Sequence, residues 1–136
     1  MKITGTTKIY GIIGNPITHT LSPTMHNAAF EAARVDGVYI PMPVAPEKLE
    51  TVVHTLPLSG VLGVNVTLPH KQTVLPLMDT LSDEARLICA VNTIVYKDGK
   101  RHGHNTDGAG FLRSLEEEVK FKAKGKKALP PSILIN

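Results

Sequence analysis

The stretch Ile9-Tyr10-Gly11-Ile12-Ile13-Gly14-Asn15-Pro16 decides the fold. A short apolar run closed by a Gly-Asn-Pro turn reads as a buried β-strand. The segment after it changes period. Ser22-Pro23 reads as a helix start, with the serine hydroxyl as N-cap and proline at the first helical position. Met25, Ala28, Ala29, Ala32 and Ala33 then recur at helical spacing, and Gly37 supplies a stop. Strand followed by helix is the repeating unit of a parallel sheet.

The same alternation continues outward. Val38 to Val44 has strand composition, but Pro41 and Pro43 lack backbone donors, which places it at a sheet edge. Pro46 opens a helix with Leu49, Val52, Val53 and Leu56 on its apolar face, closed by Pro57. Val61 to Leu68 is a third apolar strand, and Pro69-His70-Lys71 begins a short helix toward Leu75. Ser82 caps a further helical turn through Leu87. Val91 to Tyr96 and Arg101 to His104 flank Asp98-Gly99, a hairpin signal that adds an antiparallel member. The last helix runs from about Gly108 to Val119 and is expected to bury Phe111, Leu112 and Leu115. The fold class is therefore α/β, a mostly parallel sheet with flanking helices.

Composition narrows the function classes. The 136 residues are 42% hydrophobic and 20% charged, ordinary for a globular domain. One cysteine, Cys89, permits no internal disulfide and no zinc spacing, which points to a reducing, cytoplasmic setting. No run approaches the ~18 apolar residues of a membrane span. The net charge of +3 is concentrated in Lys120, Lys122, Lys124, Lys126 and Lys127; residues 1–115 carry 10 basic and 9 acidic side chains. Without tryptophan, and with Phe121 the one aromatic in the lysine run, this is a solvated tail rather than a nucleic-acid surface. The six histidines form no His-x-x-x-His pair, so no metal site is expected.

Four polar segments fall at the strand ends and following loops, where open α/β sheets bind ligands. They are His19-Thr20-Leu21-Ser22, Asn65-Val66-Thr67 with Lys71, Ala90-Val91-Asn92-Thr93, and Asn105-Thr106-Asp107. Hydroxyls, carboxamides, an ammonium and a carboxylate together suit a small, hydroxylated anion. Asn92 within an apolar run needs buried partners. Asp107 before a helix reads by default as an N-cap, and Lys71 alone reads as a surface lysine.

These segments carry a family resemblance. Gly14-Asn15-Pro16-Ile17-Thr18-His19-Thr20-Leu21-Ser22-Pro23-Thr24-Met25-His26-Asn27 is similar to the opening signature of shikimate dehydrogenases. Asn65-Val66-Thr67-Leu68-Pro69-His70-Lys71 resembles their catalytic-lysine motif. Ala90-Val91-Asn92-Thr93 and Gly103-His104-Asn105-Thr106-Asp107-Gly108 complete the set in the family's order. The resemblance implies reversible, NADP-dependent reduction of 3-dehydroshikimate to shikimate. It implies Thr20 and Ser22 on the substrate carboxylate, and Thr67, Lys71, Asn92 and Asp107 on the ring hydroxyls. Lys71 and Asp107 would flank the oxidised hydroxyl as the acid/base pair; which of them formally moves the proton stays open. Members usually carry serine where this chain has Thr20. Cys89 stands where they usually carry glycine, which reads as a packing variation.

The resemblance also implies a second, NADP-binding Rossmann-type domain and a further substrate-contacting glutamine. No Gly-x-Gly-x-x-Gly occurs here, and Pro130-Pro131 interrupts the run after Lys124-Gly125-Lys126-Lys127-Ala128-Leu129 that resembles the approach to that domain. The expected organisation is a shikimate-binding catalytic unit with linker helix over residues 1–119. Residues 120–136 would be a lysine-rich tail at the start of a cofactor domain, and the chain alone would not turn over substrate. A homodimer is left open, as are two alternatives: a quinate/shikimate dehydrogenase, and a non-catalytic shikimate-binding module.

Overall fold

The computed structural model describes residues 2–122 and 124–126, so the Lys127 to Asn136 part of the tail reading, Pro130-Pro131 included, lies outside the described residues. The chain divides into two compact units, Met1–Thr106 and Asp107–Asn136.

The first unit is built on a six-stranded sheet in the order β2-β1-β3-β5-β6-β4. Its strands are β1 (Lys8–Gly14), β2 (Gly37–Pro43), β3 (Val61–Val66), β4 (Thr80–Leu81), β5 (Thr93–Lys97) and β6 (Lys100–His104). β1 lies parallel to both β2 and β3, and β4 lies parallel to β6. β5 runs antiparallel to β3 and to β6. The hairpin between β5 and β6 has positive φ at both Asp98 (53°) and Gly99 (71°). That is the primed turn whose twist matches the flanking strands. β2 pairs with β1 alone, so its prolines face no missing neighbour. The two-residue β4 carries no periodic signal of its own. It is held by Asp79, which accepts from the Arg101 backbone N–H and from its Nε and Nη2, each at 2.8 Å. The guanidinium holds the Asp79 carboxyl well below the usual carboxylate range.

Ile12 and Ile13 show how the sheet is buried on both sides. Successive strand residues face opposite ways. Ile13 joins Val61, Val64, Val66 and Ile94, packed with Leu49 and Val53 of α2 (Leu49–Thr55) and Ala85 of α4 (Asp83–Ile88). Ile12 joins Ile17 and Tyr39, packed with Tyr10 and Phe30. Each fully buried valine or isoleucine contributes roughly 1.5–3 kcal/mol. The Ser82 hydroxyl caps α4 as expected, accepting from Ala85 N–H at 3.2 Å.

Three expectations are corrected. Helix α1 (Ser22–Ala32) buries none of its residues, and Met25 is 60% exposed. The half-buried stripe is Pro23, His26, Asn27 and Phe30, also at helical spacing, because the Asn27 carboxamide bonds the backbone of β2. Gly37 does not stop this helix; the chain turns at Arg34 (φ 54°), and Gly37 opens β2. In the second unit, α5 (Asp107–Glu118) leaves Phe111 and Leu112 exposed and Leu115 half-buried. Within its own unit no second described element packs against that helix.

Cys89 corrects a fourth. It is exposed and sits at the C-cap of α4 with φ 56° and ψ 39°, the left-handed conformation. Glycine is favoured at such a position for its backbone freedom, not for packing. Replacing Cys89 by glycine is expected to stabilise the chain by about 0.5–1 kcal/mol. A urea denaturation midpoint that falls in Cys89→Gly would contradict this.

Candidate functional site

The expected site residues of the first unit gather where β1 and β3 end and β5 begins. Thr67 N–H donates to the Ile13 carbonyl at 2.9 Å, and Asn15 N–H donates to the Leu68 carbonyl at 3.0 Å. The turns after β1 and β3 therefore leave the sheet side by side, and each contains a cis proline, Pro16 and Pro69. Val66 N–H donates to the Asn92 carbonyl at 2.8 Å, and Val91 N–H to the Lys71 carbonyl at 2.7 Å. Backbone pairing thus joins the segments carrying Thr67, Lys71 and Asn92.

Lys71 is half-buried on the single-turn helix α3 (His70–Thr73). The helix is anchored by His70, 1% exposed, whose Nε2 lies 2.7 Å from the Val44 carbonyl. A buried imidazole bonded to the chain beyond β2 fixes where α3 starts, and so where Lys71 projects. Thr67, also half-buried, lies directly over Gly14: a Cβ there would collide with the Thr67 methyl and reach 3.1 Å from the Leu68 carbonyl.

Asn92, 7% exposed, is bonded at both ends of its carboxamide. Its Oδ1 accepts from Thr106 N–H (3.1 Å) and from the Thr93 hydroxyl (3.0 Å), while Nδ2 donates to Thr106 Oγ1 (2.9 Å). The neighbouring Asn105, 5% exposed, donates to the Ala90 carbonyl at 2.9 Å. These bonds tie residues 105–106 to the strand ends. Asp107 follows as the first residue of α5, an acidic side chain in its first turn.

Thr20 and Ser22 stand on the β1–α1 loop that leaves the same edge of the sheet, both half-buried. Their local roles are exchanged relative to expectation. Leu21 occupies the cap position, and the hydroxyl meeting the helix start is that of Thr20, which accepts from Ser22 N–H at 3.3 Å.

Beneath the edge lies a polar layer that sequence patterning missed in part. The Tyr39 hydroxyl donates to Asn65 Oδ1 at 2.6 Å, and Asn65 Nδ2 donates to Thr93 Oγ1 at 3.0 Å. Burial pushes the Tyr39 phenol's ionisation up, so it remains a donor at neutral pH. A tyrosine at an inward strand position needs a partner for its hydroxyl, which is the signal that could have found it. A cavity of about 490 Å³ lies elsewhere, between the Asp98-Gly99 hairpin and the end of α2. Side-chain chemistry, not cavity size, marks the site. Among the described residues no cluster of three or more His, Cys, Asp or Glu could hold a metal, and no helix is long and apolar enough to cross a membrane.

Known proteins resemble this chain in sequence and fold. Residues 12–94, more than half of the chain, match the family described as shikimate dehydrogenase substrate binding domain. The shikimate dehydrogenase (NADP(+)) of Geobacter sp. strain M21 is 50% identical over 129 residues, covering 95% of this chain and 44% of that protein. The crystal structure of shikimate 5-dehydrogenase from Listeria monocytogenes in complex with shikimate and NAD superposes with a TM-score of 0.86. It is 42% identical and covers 93% of this chain and 43% of that one. The 5-ketofructose reductase of a Gluconobacter strain superposes at 0.80 with 35% identity, covering 85% of this chain and 42% of that one. The chain thus spans less than half the length of these relatives.

The contact between Gly14 and Thr67 yields a prediction. Gly14→Ala must push Thr67 out of place, and overpacking of this kind costs about 1–3 kcal/mol. Urea denaturation should show that loss; a variant as stable as the parent would mean that the turns over β1 and β3 yield freely.

Proposed function

The chain belongs to the shikimate dehydrogenase substrate-binding domain family, and from that premise we propose that it forms the shikimate-binding part of an NADP-dependent shikimate dehydrogenase. The reaction is the reversible reduction of 3-dehydroshikimate to shikimate. One observation carries this reading: the segment carrying Thr67 and Lys71 is joined by backbone hydrogen bonds to the segment carrying Asn92, where β3 ends and β5 begins. They match the family's motif residue by residue.

Among the described residues no glycine-rich dinucleotide turn is present. The turn after β1 reads Gly14-Asn15-Pro16 and lacks the glycine pattern that lets a helix N-terminus approach a pyrophosphate. NADP is the cofactor in the relatives' names, and when bound it would supply hydride in reduction and take it up in oxidation. What this chain contributes is binding, orientation and a proton. Thr20 and Ser22 donate to the substrate carboxylate. Thr67 and Asn92 hold ring hydroxyls, with Asn92 fixed by its own bonds to Thr93 and Thr106. In the direction of reduction either Lys71 or Asp107 gives a proton to the carbonyl oxygen as hydride reaches the carbon and the C–O double bond becomes a single bond. In oxidation the proton returns. An ammonium at that oxygen also stabilises developing alkoxide charge. The family's motif gives Asp107 the role of carboxylate partner in this chemistry.

The test is a calorimetric titration of shikimate into the chain and into Lys71→Ala. A charge-assisted hydrogen bond contributes about 1.5–3 kcal/mol, so the variant should bind at least about tenfold more weakly. A folded parent chain that takes up no shikimate, or a variant that binds equally well, would contradict the reading. Quinate and 5-ketofructose, titrated in parallel, should bind more weakly than shikimate.

A further inference from the structure

The polar layer under the site has a direction. The Tyr39 hydroxyl donates to Asn65 Oδ1 (2.6 Å); Asn65 Nδ2 donates to Thr93 Oγ1 (3.0 Å); the Thr93 hydroxyl donates to Asn92 Oδ1 (3.0 Å); Asn92 Nδ2 donates to Thr106 Oγ1 (2.9 Å). Every link passes a proton donor the same way. A carboxamide has one accepting and one donating end, so the bond at its oxygen decides which way its nitrogen points. With a donor fixed on Asn65 Oδ1, Asn65 must present its NH₂ to Thr93. The Thr93 hydroxyl, having accepted, must donate onward to Asn92 Oδ1. Asn92 then presents NH₂ to Thr106. Asn65 Nδ2 also reaches the Asn92 carbonyl at 3.3 Å, so the two asparagines are linked through backbone as well.

The head of the chain is held from three sides. Tyr39 is 4% exposed. Its ring stacks on His26 at 4.3 Å between centroids and 18° between planes. Its backbone N–H and C=O are both bonded by the Asn27 carboxamide, at 2.9 and 2.8 Å. Two consecutive residues of α1 thus fix the ring and backbone of the residue whose hydroxyl starts the relay.

The geometry points to Tyr39 as a positioning residue for the site: its hydroxyl orders the Asn65 carboxamide and, through the Thr93 hydroxyl, joins the Thr106 N–H in holding Asn92. This rests on the reading of Asn92 as a shikimate contact. Tyr39, itself buried, acts through Asn65: it helps the strand ends present a fixed pattern of donors and acceptors to a ring that carries hydroxyls. Such a pattern, locked before binding, spares the ligand the cost of ordering it.

The experiment compares the chain with Tyr39→Phe, which removes only the hydroxyl, and with Val53→Ala, which opens a cavity in the other core cluster. The side-chain amide ¹H–¹⁵N signals of Asn65 and Asn92 are recorded without ligand, melting curves are taken, and shikimate is titrated into each. Tyr39→Phe should shift the Asn92 amide pair as well as that of Asn65. It should also weaken shikimate binding about five- to tenfold, the scale of one hydrogen bond. Val53→Ala should lower the melting temperature at least as far while leaving the Asn92 signals and the affinity unchanged. Unmoved Asn92 signals in Tyr39→Phe would overturn the proposal, as would equal weakening in Val53→Ala. Absence of shikimate binding by the parent chain would instead sink the functional reading, while the amide signals still decide the relay.

Discussion

A carboxamide taken out of water must find partners for both its ends, and two of them, Asn65 and Asn92, meet under the edge where β3 ends and β5 begins. Left unpaired, each would cost about 1–3 kcal/mol. The structure meets the demand by drawing in Tyr39 from the edge strand, Thr93 from β5, and Thr106 from the segment after β6. Segments far apart in sequence are thereby brought to one place by local chemistry. Apolar packing on the two faces of the sheet holds the strands, but it specifies no hydrogen-bond pattern at their ends. The polar layer does.

Two other constraints complete the platform. His70 anchors the start of α3 to the chain beyond β2, so that Lys71 leaves from a fixed point. Gly14 lets Thr67 lie against the end of β1, since any side chain there would occupy the threonine's place. The proposed chemistry asks for donors held still while a hydride and a proton move elsewhere, and a rigid sheet edge supplies that.

Much of this was legible in the sequence, for identifiable reasons. Strands with strong apolar runs, such as Ile9 to Ile13 and Val61 to Val66, declare themselves, and Asp98-Gly99 declares its turn. Asn92 stood out because an amide in an apolar run has few innocent explanations. The failures are equally physical. In α1 an alanine stripe and a Pro23-His26-Asn27-Phe30 stripe share the same period, and only the bonds of Asn27 to β2 decide which faces inward. β4 is two residues long and owes its place to Asp79 and Arg101, a pairing between residues 22 apart. Phe111 and Leu112 carry a helical period, but no partner for it stands among the described residues of their own unit. Cys89 required a backbone angle, which no composition argument supplies. Tyr39 was passed over because its partner lies on another strand, at a distance of 26 residues.

The most direct test is a crystal structure of this chain with shikimate bound. The expected result is one shikimate at the joined ends of β1 and β3, its carboxylate against the Thr20 and Ser22 hydroxyls and its ring hydroxyls against Thr67, Lys71 and Asn92. Shikimate bound at another face of the sheet, or at this edge with its carboxylate on Lys71, would contradict the assignment of the site.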